Sequence, residues 1–424
     1  MKSILEKLKS FLSEKFENLK WVFSFLFTLF ILVPVSLFLI YSFSLSTQYI
    51  WMGNIASTFL VTFLLIIITI MMFSIFIETI FRIFFYILNK RFYVPSKRIK
   101  YDQLYVESNP YIPYKFKSSF KNEKESLADY PLHKGEIFFG NYETNNLGYL
   151  NGPNGDRDVE FKIKENLIRV NCLGASTTGN YIKKNNRDFS YPNELEKILN
   201  KDSLKYEVNN FGVGGYNSAD ILVNFILNIV DTRPEIIILY HAYNDIDSYL
   251  TDNIKSDYSH SRKNLGETAW KFKLAEKIPT FPLSFMNYIA ENIFPIVPRN
   301  SLIKNITKGK RDLRIDPKKG LEIYERNIQS IIDIAKARNI KVILSSFCHF
   351  LYDEISDSEL HRTYHKIVKQ ENEIILNLSR KNNLIFVDNY KKIPKEKRYF
   401  VDSIHFSPEG IKSIAKNFAD AITE

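Results

Sequence analysis

Residues 21–77 contain no Asp, Glu, Lys or Arg. That run is too long for one membrane-spanning helix, which needs about 20 apolar residues, and it suits two. The expected spans are residues 21–43, with Pro34 placed to kink the helix, and residues 55–77. Residues 44–54 are polar enough to turn between them, with Tyr49 and Trp51 as interfacial aromatics. A cleaved signal peptide fits less well, because the apolar region is too long and no small-residue cleavage site follows it.

Basic residues flank this hairpin. Lys2, Lys7, Lys9, Lys15 and Lys20 precede it, and Lys90, Arg91, Lys97, Arg98 and Lys100 follow it, while the short loop is uncharged. The positive-inside rule places both the N-terminus and everything after residue 90 in the cytoplasm; an extracytoplasmic domain is the alternative, since long domains translocate regardless of charge. Glu78 and Arg82 are four apart and can pair on one helix face. The net charge of +10 brings nucleic acid to mind, but the lysines are scattered and no recognition motif appears, so an anionic membrane surface is the expected partner. The chain thus divides into a membrane region (1–91), a Tyr-, Pro-, Lys- and Asn-rich connector (92–165) and a globular domain (166–424).

In that last domain short apolar runs alternate with amphipathic ones. Strands are expected at 167–173, 206–211, 235–240, 341–347 and 384–387, and helices at 191–200, 218–230, 320–338, 359–381 and 408–422. Alternation of this kind implies a parallel sheet covered on both faces, with ligands outside the carboxyl ends of its strands. Residues 250–316 break the rhythm and read as an insertion over that edge, a lid or a membrane-facing arm.

Several strand ends carry chemistry. The first runs into Gly174-Ala175-Ser176, a strand-to-helix turn that can lift the serine hydroxyl off the sheet edge. After the second comes Gly212-Val213-Gly214-Gly215-Tyr216-Asn217-Ser218, and the third ends in His241-Ala242-Tyr243-Asn244-Asp245. Beyond the fifth lies Asp402-Ser403-Ile404-His405, running into the last helix. Each fragment alone has a plain structural reading as a helix cap or a turn. His361 and His365, four apart on a helix, lack an evident third metal ligand and read as a solvated face.

These four blocks, in this order over residues 167–424, resemble the SGNH or GDSL-type hydrolase superfamily. The resemblance implies a flavodoxin-like three-layer α/β/α sandwich with five parallel strands, and it carries roles onto matching positions. Ser176 matches the nucleophile, His405 the general base and Asp402 the carboxylate that orients it; Gly215 and Asn244 match the oxyanion-hole donors, joined by the Ser176 N–H. Two positions depart from the family pattern, Ala175 for aspartate and Ala242 for glycine. Neither supplies a catalytic atom, so tuning of the pocket is expected. The first and fourth strands of that fold are not neighbours, which implies that Cys172 and Cys348 are free thiols.

A serine hydroxyl needs a neutral imidazole to take its proton, and an acyl transition state needs donors for its oxyanion. The expected activity is hydrolysis of an acyl ester on a lipid or an O-acylated carbohydrate. Two alternatives stand beside it: an O-acyltransferase using the same triad, which would need a membrane partner to supply its acyl donor, and a non-catalytic membrane-tethered binding module. No nucleotide, metal or other cofactor is expected.

Overall fold

The computed structural model describes residues 55–89, 92, 105–121, 132–133, 136–139, 143–150, 157–161, 166–179, 182–185, 187–267, 273, 284–289 and 311–424. The chain separates into two units, Met1–Arg98 with Lys277–Pro298, and Ile99–Glu276 with Arg299–Glu424.

The first unit is built on one long helix, α1 (Ile55–Asn89). Phe59, Ile70, Met72 and Leu88 are each more than half exposed along it, so its apolar surface faces outward. A helix apolar on all sides calls for an apolar solvent or a partner. Its stretch Thr62–Asn89, of mean hydropathy 2.5, is long and apolar enough to cross a membrane. This revises the expected span at 55–77: the helix continues through Glu78 and Arg82, whose charges are matched in place. Arg82 Nε donates to Glu78 Oε1 at 2.6 Å, and the Phe285 N–H donates to Glu78 Oε2 at 2.9 Å. Phe285 and Tyr288, on the short helix Ser284–Tyr288, also pack their rings on Phe81 at 5.7 and 5.3 Å. The other expected span, 21–43, lies outside the described residues, so one such helix is seen where the sequence suggested a hairpin of two.

The second unit holds a five-stranded sheet: β1 (Ile168–Gly174), β2 (Tyr206–Asn210), β3 (Ile236–Tyr240), β4 (Lys341–Ser345) and β5 (Ile385–Val387). Its order is β2-β1-β3-β4-β5 and every pair is parallel. Helices α2 (Tyr191–Leu199) and α6 (Pro408–Thr423) pack together on one side. Helices α3 (Ser218–Asn224), α4 (Lys318–Ala337) and α5 (Glu359–Asn382) pack together on the other. Coverage on both faces is why β3 reads Ile-Ile-Ile-Leu-Tyr, with every residue buried. The chain winds from β1 outward to β2 and then back past β1 to β3. That reversal opens a crevice at the carboxyl ends of β1 and β3, into which Ser176 is delivered.

Two segments differ from their expected form. The helix expected over 218–230 is α-helical only to Asn224, then widens to a π turn (Phe225–Ile229) and tightens to a 3-10 turn (Val230–Thr232). Arg233 then takes a left-handed φ of 53° ahead of Pro234, which cannot continue a helix. The connector does more than connect. Val106, Ile112, Tyr114, Phe116, Tyr149 and Leu150 are buried in the core, and two-residue strands Val106–Glu107 and Lys115–Phe116 pair antiparallel.

Candidate active site

The turn after β1 is set by close approach. Gly179, closing the one-turn helix Ser176–Gly179, lies against Gly212 of the loop after β2, and a Cβ on either would run into the other's backbone. The ladder continues past the strands, with the Phe211 N–H bonded to Cys172 O at 2.9 Å and the Val213 N–H to Gly174 O at 3.2 Å. The serine turn and the glycine-rich loop are thereby locked side by side.

The loop before α6 brings the third group. The Val401 N–H donates to His405 O at 2.9 Å and the Ser407 N–H to Tyr399 O at 3.0 Å, closing 399–407 on itself. Ser407 then caps α6, whose first position is Pro408. His405 Nε2 lies 2.8 Å from Ser176 Oγ, and His405 Nδ1 lies 2.7 Å from Asp402 Oδ2. Asp402 Oδ1 accepts the Ile404 and His405 N–H groups at 2.8 and 2.7 Å. Burial alone would raise the Asp402 carboxyl; the imidazole beside it and these N–H groups outweigh burial and hold it below the usual carboxylate range. An ionised Asp402 is therefore the state next to His405 at neutral pH.

Gly215 and Asn244 meet at the same edge. Asn244 Nδ2 donates one hydrogen to Tyr216 O at 2.8 Å, leaving its second N–H. The N–H groups of Ser176 and Gly215 have no hydrogen-bond partner among the described residues. Asn244 itself follows a tight turn. Its N–H bonds to Ala242 O at 2.8 Å across Tyr243, which has φ 70°, the rarer and strained form of γ-turn.

Residues that sequence reasoning passed over hold that turn. Glu371 on α5, fully buried, accepts the Tyr243 N–H at 3.2 Å and the Tyr249 hydroxyl at 2.9 Å. Burial, with Asp245 nearby, pushes the Glu371 carboxyl up to about 8. Asp245, in the block with Asn244, stands at the N-cap position of the short helix Ile246–Tyr249, but its side chain makes no cap bond; it is buried and accepts from His241 at 2.7 Å, the Ser218 N–H and the Tyr258 hydroxyl at 2.9 Å, and the Ser218 hydroxyl. Burial opposes its charge, but His241 and Ser218 hold it below its usual range. From residues 250–267, read as part of an insertion over this edge, Arg262 donates to Asp220 and to Gly215 O. The only sequence signal for these groups was that charged or polar residues sit within apolar periodicity, as Glu371 does on α5.

The remaining candidates stand outside this hydrogen-bond chain. His365 does not pair with His361; its Nδ1 lies 3.1 Å from Nδ1 of His349, which burial pushes down to about 3. These two rings, with Phe350, Tyr352, Tyr390 and Lys395, border a cavity of about 640 Å³ that Ser176 and His405 do not line. Among the described residues no three potential metal ligands converge. Cys172 and Cys348 are buried and free, and β3 separates β1 from β4.

Residues 172–412 match the family model described as the GDSL-like lipase/acylhydrolase family. Among solved structures, a GDSL-like lipase from Bacteroides thetaiotaomicron is 16% identical with a TM-score of 0.34, the likeness covering 62% of this chain and 91% of that one. A putative acylhydrolase from Bacteroides fragilis is 18% identical at 0.34, covering 62% and 89%. An acetyl-xylooligosaccharide esterase from Geobacillus is 14% identical at 0.35, covering 61% and 94%. No curated protein matches the chain.

Proposed function

The chain belongs to the GDSL-like lipase/acylhydrolase family and is an ester-bond hydrolase, and from that premise we propose that it is a membrane-anchored serine esterase acting through Ser176, His405 and Asp402. The observation that carries this reading is the hydrogen-bond chain from Ser176 Oγ through the His405 ring to Asp402, at 2.8 and 2.7 Å. In it, Ser176 Oγ attacks the ester carbonyl carbon while His405 Nε2 takes the hydroxyl proton. Asp402 holds the ring in the tautomer that presents a bare Nε2 and stabilises the imidazolium once formed.

The carbonyl π electrons move onto oxygen, and the N–H groups of Ser176 and Gly215 with the second Asn244 Nδ2–H receive that charge. Collapse expels the alcohol, protonated by His405, and leaves an acyl-serine. Water then repeats the sequence, giving its proton to His405 and releasing the carboxylic acid. The substrate is an acyl ester of a lipid or of an O-acylated carbohydrate, met at the membrane to which α1 and the preceding apolar run attach the enzyme. The domain division follows the same reading: membrane region 1–91, a connector 92–165 that also lends buried residues to the core, and catalytic domain 166–424.

A fluorophosphonate probe tests the nucleophile. The solubilised protein should be labelled at Ser176, located by mass spectrometry of the adduct, and Ser176→Ala should abolish both labelling and esterase activity. Labelling that survives Ser176→Ala would remove the assignment.

A further inference from the structure

The central peptide of the glycine-rich turn decides whether Gly215 can act, and its orientation is set from outside the family blocks. The turn is Val213–Gly214–Gly215–Tyr216, closed by the Tyr216 N–H on Val213 O at 3.2 Å. Gly215 has φ 80° and Gly214 is not among the positive-φ residues, which makes this a type II turn. Types I and II differ by a rotation of the central peptide, here Gly214–Gly215, through about 180°. In a trans peptide the C=O and N–H point in opposite directions. Whatever grips Gly214 O therefore aims the Gly215 N–H.

That grip is the phenol of Tyr114, which donates to Gly214 O. Tyr114 is buried, and its ring meets that of Tyr216 edge-on at 5.7 Å, while the Tyr216 hydroxyl donates back to Tyr114 O. The next two carbonyls are held from elsewhere, Gly215 O by Arg262 and Tyr216 O by Asn244. Three successive carbonyls of one turn thus accept from three distant segments, and only the bond from Tyr114 acts on the peptide that carries the Gly215 N–H.

We propose that Tyr114 is a positioning residue for catalysis: its hydroxyl locks the Gly214–Gly215 peptide in the orientation that presents the Gly215 N–H to the oxyanion. This rests on the reading of Gly215 as an oxyanion donor. Without the hydroxyl, the turn gains access to the flipped form, in which a carbonyl oxygen replaces the donor and repels the developing charge.

The test compares Tyr114→Phe with Tyr149→Phe in the full-length protein, using p-nitrophenyl acetate as probe substrate. Tyr149→Phe is the matched control, since it also loses a buried phenol hydrogen bond from the same segment (to Asn224, 2.7 Å), one that is not made to the turn. Tyr114→Phe should lower kcat by about 10–100-fold, short of the full loss of one donor, with KM within about twofold. Affinity for a trifluoromethyl ketone, which places an oxyanion in the site, should fall by the same factor as kcat/KM. Tyr149→Phe should leave both within about threefold of wild type.

Each variant is measured below its own melting transition. Equal losses in both variants, or a Tyr114→Phe protein that does not fold, would mean a structural role and overturn the proposal. Unchanged kcat and ketone affinity in Tyr114→Phe, with Asn244→Ala strongly impaired, would overturn it while leaving the oxyanion-hole reading standing. No loss in either Tyr114→Phe or Asn244→Ala would remove that reading and the proposal together.

Discussion

At the residue scale, the proposed chemistry depends on a few atoms held within hydrogen-bond reach. If Asn244 supplies an oxyanion donor, Asn244→Ala should lower kcat by about 10²–10³ with the fold intact, as burst kinetics and circular dichroism would report. Gly215→Ala should cost activity and about 1–2 kcal/mol of stability, because its φ of 80° is a left-handed conformation that a Cβ disfavours. Asp402→Asn should cut turnover severely while a fluorophosphonate still reaches Ser176, since the amide favours the wrong imidazole tautomer. Ser176, Asp402 and His405 were legible because each sits in a short local pattern, a serine two past a strand-ending glycine and an acid three before a histidine. Tyr114 and Arg262 were not. A tyrosine in a polar, proline-rich stretch and an arginine in an insertion carry no local signature, and only the fold brings them to one turn.

At the scale of elements, the β-strands could be read to within a residue or two because apolar runs buried on both faces contrast sharply with amphipathic helices. The short strands at 106–107 and 115–116 could not, since two residues carry no period. Helix α5 shows a second limit. Its apolar stripe was plain, but nothing in the pattern said that Glu371 lies within the stripe and braces the strained Tyr243 turn. That placement predicts a pH effect of definite sign. The Glu371 carboxyl stands at about 8 in the fold against an ordinary 4.5, so between those values the folded state keeps a proton that the unfolded chain has lost. Its stabilising contribution is complete below about pH 4.5 and is lost as pH rises through about 8. Denaturant unfolding of wild type should show stability declining across that window. Glu371→Gln, which keeps the shape and cannot ionise, should flatten this part of the profile, and an unchanged slope would show that Glu371 titrates normally.

At the scale of the whole molecule, the proposed membrane anchoring would decide which esters the enzyme can meet. Helix α1 includes 28 residues suited to a membrane, about 42 Å at 1.5 Å per residue, against a hydrocarbon core of about 30 Å. The pair Arg82 Nε to Glu78 Oε1, at 2.6 Å, lies in the last third of that helix, and on the proposed anchoring the surplus length would carry it toward the interface. The basic residues Lys90 to Lys100 follow directly, within the distance of a span end over which charge sets orientation. With lysines also before residue 21 and none in the loop 44–54, the proposed arrangement is a hairpin with both ends cytoplasmic. Attraction of the basic run to anionic headgroups adds on the order of 1 kcal/mol per residue near the surface. This placement favours a lipid or cytoplasmic acyl ester over an extracellular glycan. Cysteine accessibility tests it in the native background, because Cys172 and Cys348 are buried; burial raises the Cys172 thiol far above its usual range and pushes Cys348 up to about 12, leaving almost no thiolate to react. A reporter cysteine replaces Thr47 in one protein and the exposed Thr423 in another, and intact cells are treated with an impermeant maleimide. The proposed topology requires labelling at 47 and protection at 423 until the cells are opened. Labelling at 423 with protection at 47 reverses it and moves the substrate to the outer surface. Labelling at both positions would mean that the described helix does not cross between them, and leaves the catalytic domain outside.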